Sequence, residues 1–338
     1  MPQIKHLPLM ALAVIAVLLW APPAAASFAE RPDVHSFVVA MASKHGFDVD
    51  ELSSLFARIK PRPRVGKTMT ERVAKPAPWV RYRSNCVNSR NISHGVDFWD
   101  ANAEALARAR QIYGVPEEVI VAIIGVETHY GRSRLPYPVL DTLATLAFDY
   151  PRRADFFRSE LEQYLLLMRE ENRNPLRVRG SYAGAMGIPQ FMPSSYRAYA
   201  VDFDGDGRRD LWRNASDTIG SVANYLKAYG WHADQPVAMR AHLQQDAAAN
   251  FSELRSSELE PVHSLEEFQA LGIVPAQPLP AETLVALHAV DVNGEPELWL
   301  GLNNFYVITR YNHSLFYALA VYQLGNEVRL ARGLAPRI

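Results

Sequence analysis

The 338-residue chain has a single cysteine, Cys86, so no internal disulfide can brace it and its fold must rest on packing. Charge of one sign is lacking too. Lys and Arg number 35 against 36 Asp and Glu, a formal net charge of −1, which offers no basic field to a nucleic acid. Internal repeats and low-complexity tracts are absent, which excludes a solenoid or a disordered tether. The chain has one long apolar run, residues 7–20 behind Lys5, and it is shorter than the roughly 20 residues a membrane span needs. Small residues follow over 21–27, with Ala24 and Ala26 spaced for cleavage, so residues 1–26 read as a secretory signal peptide. Its removal takes away Lys5 and moves the formal charge to −2. No cysteine near the cleavage site can accept a lipid, so a soluble periplasmic protein is expected.

What the chain does have is apolar content, 49% of residues, enough for a sizeable core in one large domain or two to three small ones. The stretch 115–132, VPEEVIVAIIGVETHYGR, organises the rest. Pro116 suits a first helical turn, and Glu117 and Glu118 favour the positive end of the helix dipole. Ile120, Ile123, Ile124 and Glu127 fall at i, i+3, i+4 and i+7, so the acid shares the face of the isoleucines. Burial and the negative helix end, closed by Gly131, both disfavour its charged form. One reading is a general acid still protonated near neutral pH. The other is a helix-end glutamate paired with His129, Arg132 or Arg134.

Residues 33–44 and 48–59 form a helical pair, the second opened by a capping-box pattern of Asp48 and Glu51. Prolines and basic residues make 60–78 an extended, solvated connection. A continuous helix is expected over 97–113, with Phe98, Ala105, Leu106, Ala109 and Ile112 at helical spacing. Helices follow at 140–148 and 153–170, the latter with Phe156, Phe157, Leu161, Tyr164 and Leu165 on one face. Residues 180–199, GSYAGAMGIPQFMPSSYRAY, are dense in glycine, serine and proline and form a loop whose backbone lies close to something. Helical spacing returns over 218–229. Short strands at 283–290 and 297–300, joined through Asn293 and Gly294, signal a hairpin, and a last helix starts near Ser314. The expected division is a signal peptide at 1–26, a helical segment and linker at 27–78, a helical core at 79–231, a β-rich insertion at 232–303 and a C-terminal return at 304–338.

From Asp202 onward, Asp202, Asp204, Asp206 and Asp210 occupy positions 1, 3, 5 and 9 of an EF-hand-like loop, with Gly207 at position 6. Position 12, which should supply a closing glutamate, is Arg213; Asp217 serves if the loop is longer. A calcium site and a solvated Asp/Gly turn both remain open on spacing alone.

The segments GVETHYGR, GSYAGAMGIPQFMPSSY, AVDFDGDGRRDLW, IGSVANYLKAYGW and NNFYVITRYNHS, in this order, resemble the membrane-bound lytic murein transglycosylase B family, glycoside hydrolase family 103. The resemblance runs from about Asp33 to the C-terminus. It implies a mainly α (α+β) fold: a lysozyme-like helical core with a helical domain, a small β-rich domain and a calcium site. It further implies cleavage of the MurNAc-β-1,4-GlcNAc bond of peptidoglycan without water, leaving a 1,6-anhydroMurNAc end. Glu127 matches the acid/base. Ser181, Gln190, Tyr311 and Asn312 match groove residues, and Tyr82 an aromatic wall. Asp202, Asp204, Asp206, the carbonyl of Arg208 and Asp217 match calcium ligands. A single glutamate suffices where the substrate's N-acetyl group attacks C1. Tyr82, Tyr311 and Phe305 then offer flat faces to sugars. Peptidoglycan strands are the expected partner, with cell-wall synthesis or secretion machinery as candidate recruiters. Structural calcium is the expected cofactor, no organic cofactor is expected, and the protein is expected to be a monomer. The alternatives are a muramidase using water, which needs a second acid, and a non-catalytic murein-binding scaffold stiffened by calcium.

Overall fold

The computed structural model describes residues 28–74, 77–244 and 258–335; the signal-peptide reading of residues 1–26 lies outside them. The chain divides into two units, one ending at Ile59 and one beginning at Lys60. In the first, helices α1 (Pro32–His45) and α2 (Val49–Phe56) pair through Val34, Val38, Met41, Leu52 and Phe56. Asp48 caps α2 as expected, its carboxylate accepting the Glu51 N–H at 2.8 Å.

The second unit begins where the sequence suggested an extended connection, and a helix lies there instead: α3 (Pro63–Ala74). Prolines 61 and 63 read as breakers, but Pro63 sits at the first helical position, where its missing N–H breaks no bond. Val65 buries itself fully. The entry to this helix is held by Asp141, whose carboxylate accepts the Lys60 N–H at 3.2 Å and the Arg62 guanidinium at 2.9 and 3.1 Å.

Around the centre run α4 (Trp79–Cys86), α5 (Ser89–Ala101), α6 (Ala103–Tyr113) and α7 (Glu117–Thr128). The continuous helix expected over 97–113 is two, broken at Asn102 with φ −127°. Its amide donates to the Phe98 carbonyl at 2.8 Å, so a local side-chain bond competes with helical propagation. Further on lie β1 (Tyr137–Pro138), α8 (Val139–Asp149), α9 (Ala154–Glu170), β2 (Arg179–Gly180), α10 (Pro193–Tyr199) and α11 (Ala215–Ala228). On α9, Phe157 is buried but Phe156 is 39% exposed, so the apolar face is narrower than its spacing suggested; Ile112 on α6 is likewise exposed.

Five antiparallel strands form the small sheet, β3 (Ala238–Leu243), β4 (His263–Ser264), β5 (Ile273–Pro275), β6 (Leu284–Val292) and β7 (Glu295–Gly301), in the order β4-β6-β7-β3-β5. The expected hairpin is β6–β7, turning on Asn293 and Gly294, both at positive φ. One side of the sheet packs Leu287, Leu298 and Leu300 against the short helix α12 (Leu265–Ala270). The chain then returns through α13 (Asn303–Tyr311) and α14 (Leu315–Ala331), the latter capped by Ser314. Asn304, fully buried, fastens this return: its side chain bonds the backbone of His232 in both directions, at 2.9 and 2.8 Å, and the Gln235 carbonyl at 3.0 Å.

The centre of the second unit is α7, buried from Glu118 to Gly125 and packed against α14, α5, α6 and α11. Gly125 permits this, since a Cβ there would lie 2.5 Å from the Tyr130 hydroxyl and 3.1 Å from Leu324. Gly125→Ala is therefore expected to lose about 1–2 kcal/mol of stability through overpacking, although helix propensity alone would give a gain of up to about 1 kcal/mol. Urea denaturation reads the sign; unchanged or higher stability would contradict this packing.

Candidate active site

Glu127 occupies the last turn of α7, three residues beyond Ile124. The helix ends sooner than Gly131. His129 adopts a left-handed backbone, its N–H bonding the Gly125 carbonyl at 2.9 Å, and the Tyr130 N–H reaches back to Ile124 at 3.3 Å. Three consecutive residues, His129, Tyr130 and Gly131, have positive φ of 49°, 61° and 78°. For the two that carry a Cβ this conformation costs about 1–2 kcal/mol each, and such strain persists only where the surroundings over-determine it. Thr128 and Tyr130 supply the surroundings. The Thr128 hydroxyl donates to the Ile188 carbonyl at 2.7 Å and accepts the Gly131 N–H at 3.0 Å. Tyr130 is buried with its hydroxyl wedged between Gly95 and Gly125.

The carboxyl of Glu127 is half-buried, and among the described residues no Arg, Lys or His pairs with it, so the reading as a partner of His129, Arg132 or Arg134 does not hold. Protein encloses it on enough sides that burial pushes its pKa from 4.5 to about 7, with Tyr317 pulling the other way. Its charge is felt by Tyr82 and Cys86 on α4, by Tyr311 at the end of α13 and by Tyr317 on α14. All four are raised above their ordinary values, chiefly by burial, Cys86 to about 11. The carboxyl thus sits among groups that stay neutral at ordinary pH. The Tyr317 hydroxyl is buried and makes no hydrogen bond of ordinary geometry among the described residues, yet it lies near enough to Glu127 to favour the ionised form. Tyr317 stacks on Tyr311, ring centroids 6.2 Å apart and planes within 10°. Tyr82 is half-buried and leans on Phe316 at 5.9 Å.

Of the residues expected at the site, Tyr82 and Tyr311 are brought to Glu127. The Tyr311 hydroxyl donates to the Pro189 carbonyl at 2.6 Å, which ties the end of α13 to the glycine-rich loop. In that loop Ser181 accepts the N–H groups of Ala183 and Ala185 at 3.2 and 3.1 Å, and Gln190, at φ 53°, donates from its side chain to the Gly187 carbonyl at 2.8 Å. Both side chains brace the loop. Asn312 is exposed just past α13. Phe305 is not a sugar platform: it is fully buried beneath Gly301 and His288. Cys86 and Tyr317 were missed. Cys86 lies four residues after Tyr82 on one helix face, a spacing that marks it once Tyr82 is chosen. Tyr317 follows the cap Ser314 by three residues, but core tyrosines share that position.

The acidic loop gathers at Asp202, Asp204 and Asp217, whose carboxylate oxygens lie within 4.8 Å of one another. Asp217 comes from the first turn of α11 and is fully buried, accepting the N–H groups of Phe203 and Asp210 at 2.8 Å each. Burial, aided by the charges of Asp204 and Asp202, pushes its pKa upward. Asp202 accepts the Gly205, Asp206 and Gly207 N–H groups at 2.8, 3.1 and 2.7 Å. Asp210 turns away, its carboxylate accepting the Trp212 N–H at 3.0 Å and facing Arg173 at 3.7 Å. Asp206 stands outside the group of three, its carboxylate accepting the Arg208 N–H at 2.9 Å. No Lys or Arg among the described residues forms an ion pair with the three clustered acids. An oxygen-only donor set of this charge suits a hard divalent cation such as calcium.

The pattern of the transglycosylase SLT domain matches residues 29–326. The membrane-bound lytic murein transglycosylase B of Escherichia coli K12 is 46% identical over 314 residues, covering 90% of this chain and 85% of that protein. The Escherichia coli lytic transglycosylase Slt35, solved in complex with bulgecin A and again with calcium, superposes with TM-scores of 0.84 and 0.82 at 46% identity, covering 90% of this chain and 95% of that one. SltB3 of Pseudomonas aeruginosa, solved in complex with NAG-anhNAM-pentapeptide, gives 0.74 at 30% identity, covering 88% and 79%. With most of its length matched at such identity, the chain belongs to the transglycosylase SLT domain family and is a lytic murein transglycosylase.

Proposed function

We propose that Glu127 is the single acid/base of this enzyme and that it cleaves the MurNAc-β-1,4-GlcNAc bond of peptidoglycan with formation of a 1,6-anhydroMurNAc end. The observation that carries the proposal is a half-buried carboxyl held near pKa 7 with no cationic partner among the described residues. Protonated, Glu127 gives its proton to the glycosidic oxygen as that bond breaks, while the substrate's N-acetyl oxygen attacks C1 and stabilises the positive charge. As a carboxylate, it then takes the proton of the C6 hydroxyl, whose oxygen closes the anhydro ring and displaces the N-acetyl group. A pKa near neutrality lets one group serve both steps. A water-using muramidase would need a second acid at Glu127, and among the described residues no other carboxylate acts on it. A relative bound to an anhydro muropeptide adds support.

In this reading Tyr82 and Tyr311 wall the groove, with Asn312 at its rim, and Ser181 and Gln190 shape the loop that lines it. Peptidoglycan strands are the partner, in keeping with the fragments and bulgecin bound by relatives. Calcium, held by Asp202, Asp204 and Asp217 and found with a close relative, supplies fixed positive charge that locks the loop onto α11 and takes no part in turnover. Export by the leader at residues 1–26 would place the enzyme in the periplasm. Among the described residues no helix is long and apolar enough to cross a membrane.

Glu127→Gln is expected to lower the yield of anhydro-muropeptides from sacculi at least 10²-fold, the reach of general acid catalysis, as mass spectrometry would count them; retained yield would favour the scaffold. Because the protonated form starts the reaction, kcat/KM should fall as pH rises through about 7, whereas a limb near pH 4 to 5 would break the assignment. The stability sign is the same. A carboxyl whose folded pKa is raised carries no penalty below its unfolded value and a growing one as pH rises past it, at most about 3 kcal/mol and less for a half-exposed group. Glu127→Gln should thus raise Tm at pH 8 and leave it unchanged at pH 4. Calcium should raise Tm over chelator in the native chain and not in Asp217→Asn; equal melting would empty the acidic loop of its role.

A further inference from the structure

Behind the wall that carries Tyr82 lies a cleft of about 490 Å³, which the reaction above does not use. Helix α4 divides it from the active site. Tyr82 and Cys86, one turn apart, feel the charge of Glu127, whereas Val80 and Ser84 lie on the opposite side of the helix and line the cleft together with Arg83. Its other walls are α14, through Tyr322 and Gln323, and the sheet, through Arg240 of β3 and Glu297 and Trp299 of β7. The polar groups hold one another in place. Glu297 accepts the Arg240 guanidinium on one oxygen and the Trp299 indole N–H on the other, both at 2.8 Å, and the guanidinium lies over the Trp299 ring at 4.8 Å. Arg83 donates to the Gln323 side-chain carbonyl at 2.5 Å, and Tyr322 meets Trp299 edge-on at 5.7 Å.

We propose that this cleft is a second saccharide site, which holds a neighbouring glycan strand of the murein while Glu127 cuts another. Charge argues for a neutral ligand. Two arginines, Arg83 and Arg240, stand against two glutamates, Glu297 and Glu327, so neither an acidic nor a basic peptide finds an excess of the opposite sign. A strand of amino sugars carries hydroxyl and acetamido groups that both donate and accept, and planar guanidinium, carboxylate and amide groups present donors and acceptors at the spacing of adjacent hydroxyls. Fixed by one another before a ligand arrives, these side chains lose little freedom on binding. Apolar contact is at hand as well. Val80, 41% exposed, and the half-buried Tyr322 suit the methyl of an acetamido group and the C–H face of a sugar ring. Position fits the substrate too, because strands lie side by side in murein and a single helix separates the two sites.

This inference rests on the reading of the chain as a murein lytic enzyme, and its test is separable from the acid/base assignment because it counts sites without turnover. The probe is a peptide-free GlcNAc-MurNAc tetrasaccharide titrated calorimetrically into Glu127→Gln, where two sites per chain are expected. Ser84→Trp, which fills the cleft from an exposed position, and the pair Arg240→Ala with Gln323→Ala should each remove the second site and leave the first at its affinity. In chains that keep Glu127, the same changes should slow release of muropeptides from sacculi roughly fivefold, the effect of losing one or two hydrogen bonds. Their kcat/KM on a soluble, stem-bearing tetrasaccharide should stay unchanged. A single site in Glu127→Gln, a second site that survives both variants, or equal losses on sacculi and on the soluble substrate would each overturn the proposal; a single site combined with slower sacculus digestion would give the cleft to a protein partner instead. Should Glu127→Gln keep full lytic activity, the acid/base assignment fails while the site count still decides the cleft.

Discussion

A carboxyl enclosed by protein, with no counter-charge among the described residues, is the constraint from which the rest of this structure follows. Ionising Glu127 means charging a group whose neighbours are Tyr82, Cys86, Tyr311 and Tyr317, all held neutral by the same burial. A single arginine within reach would favour the carboxylate and remove the proton that a glycosidic oxygen needs. Basic residues are not scarce nearby: His129, Arg132 and Arg134 follow within seven positions of Glu127. What keeps them off is the backbone after α7. Its left-handed residues reverse the chain, and His129 is spent on Ser133, Nδ1 to hydroxyl at 3.0 Å.

That reversal is strained, and the fold secures it from three directions. Tyr130 fills a socket that exists because Gly95 and Gly125 lack side chains. Thr128 bonds forward to Gly131 and across to Ile188, while Tyr311 bonds Pro189 from the opposite wall. The glycine-rich loop is therefore stitched at adjacent residues to both the acid helix and the aromatic wall. The acidic loop repeats the logic at another scale, with Asp217 buried at 0% exposure beside two further carboxylates and no ion-paired cation among the described residues. One site keeps a carboxyl neutral by isolation; the other gathers three carboxylates within reach of one point.

Much of this was readable in the chain before any coordinates. The isoleucine stripe put Glu127 on the core face of a helix because burial follows a 3.6-residue period, and Asn-Gly announced the β6–β7 hairpin because two positive φ values are needed there. Residues that act through contacts distant in sequence were harder. Tyr317 meets Glu127 across 190 positions, and its spacing on α14 is that of any core residue. Phe305 failed as a sugar platform for the converse reason, since a motif places a residue near a site without saying which way its ring turns. Pro63 and Asn102 misled locally: a proline at a first helical turn starts a helix, and an asparagine that bonds backward interrupts one. Among the acids, spacing left Asp210 and Asp217 open, and it is a tertiary fact, the return of α11 beneath the loop, that sets Asp217 beside Asp202 and Asp204.

The state of the Glu127 carboxyl can be observed directly. Infrared difference spectra between the native enzyme and Glu127→Gln, recorded across pH, isolate the protonated carbonyl band of this one group. The account predicts that the band persists through pH 6 and disappears with a midpoint near 7. Disappearance near 4.5, the ordinary glutamate value, would show a carboxylate exposed to solvent at working pH and would contradict it.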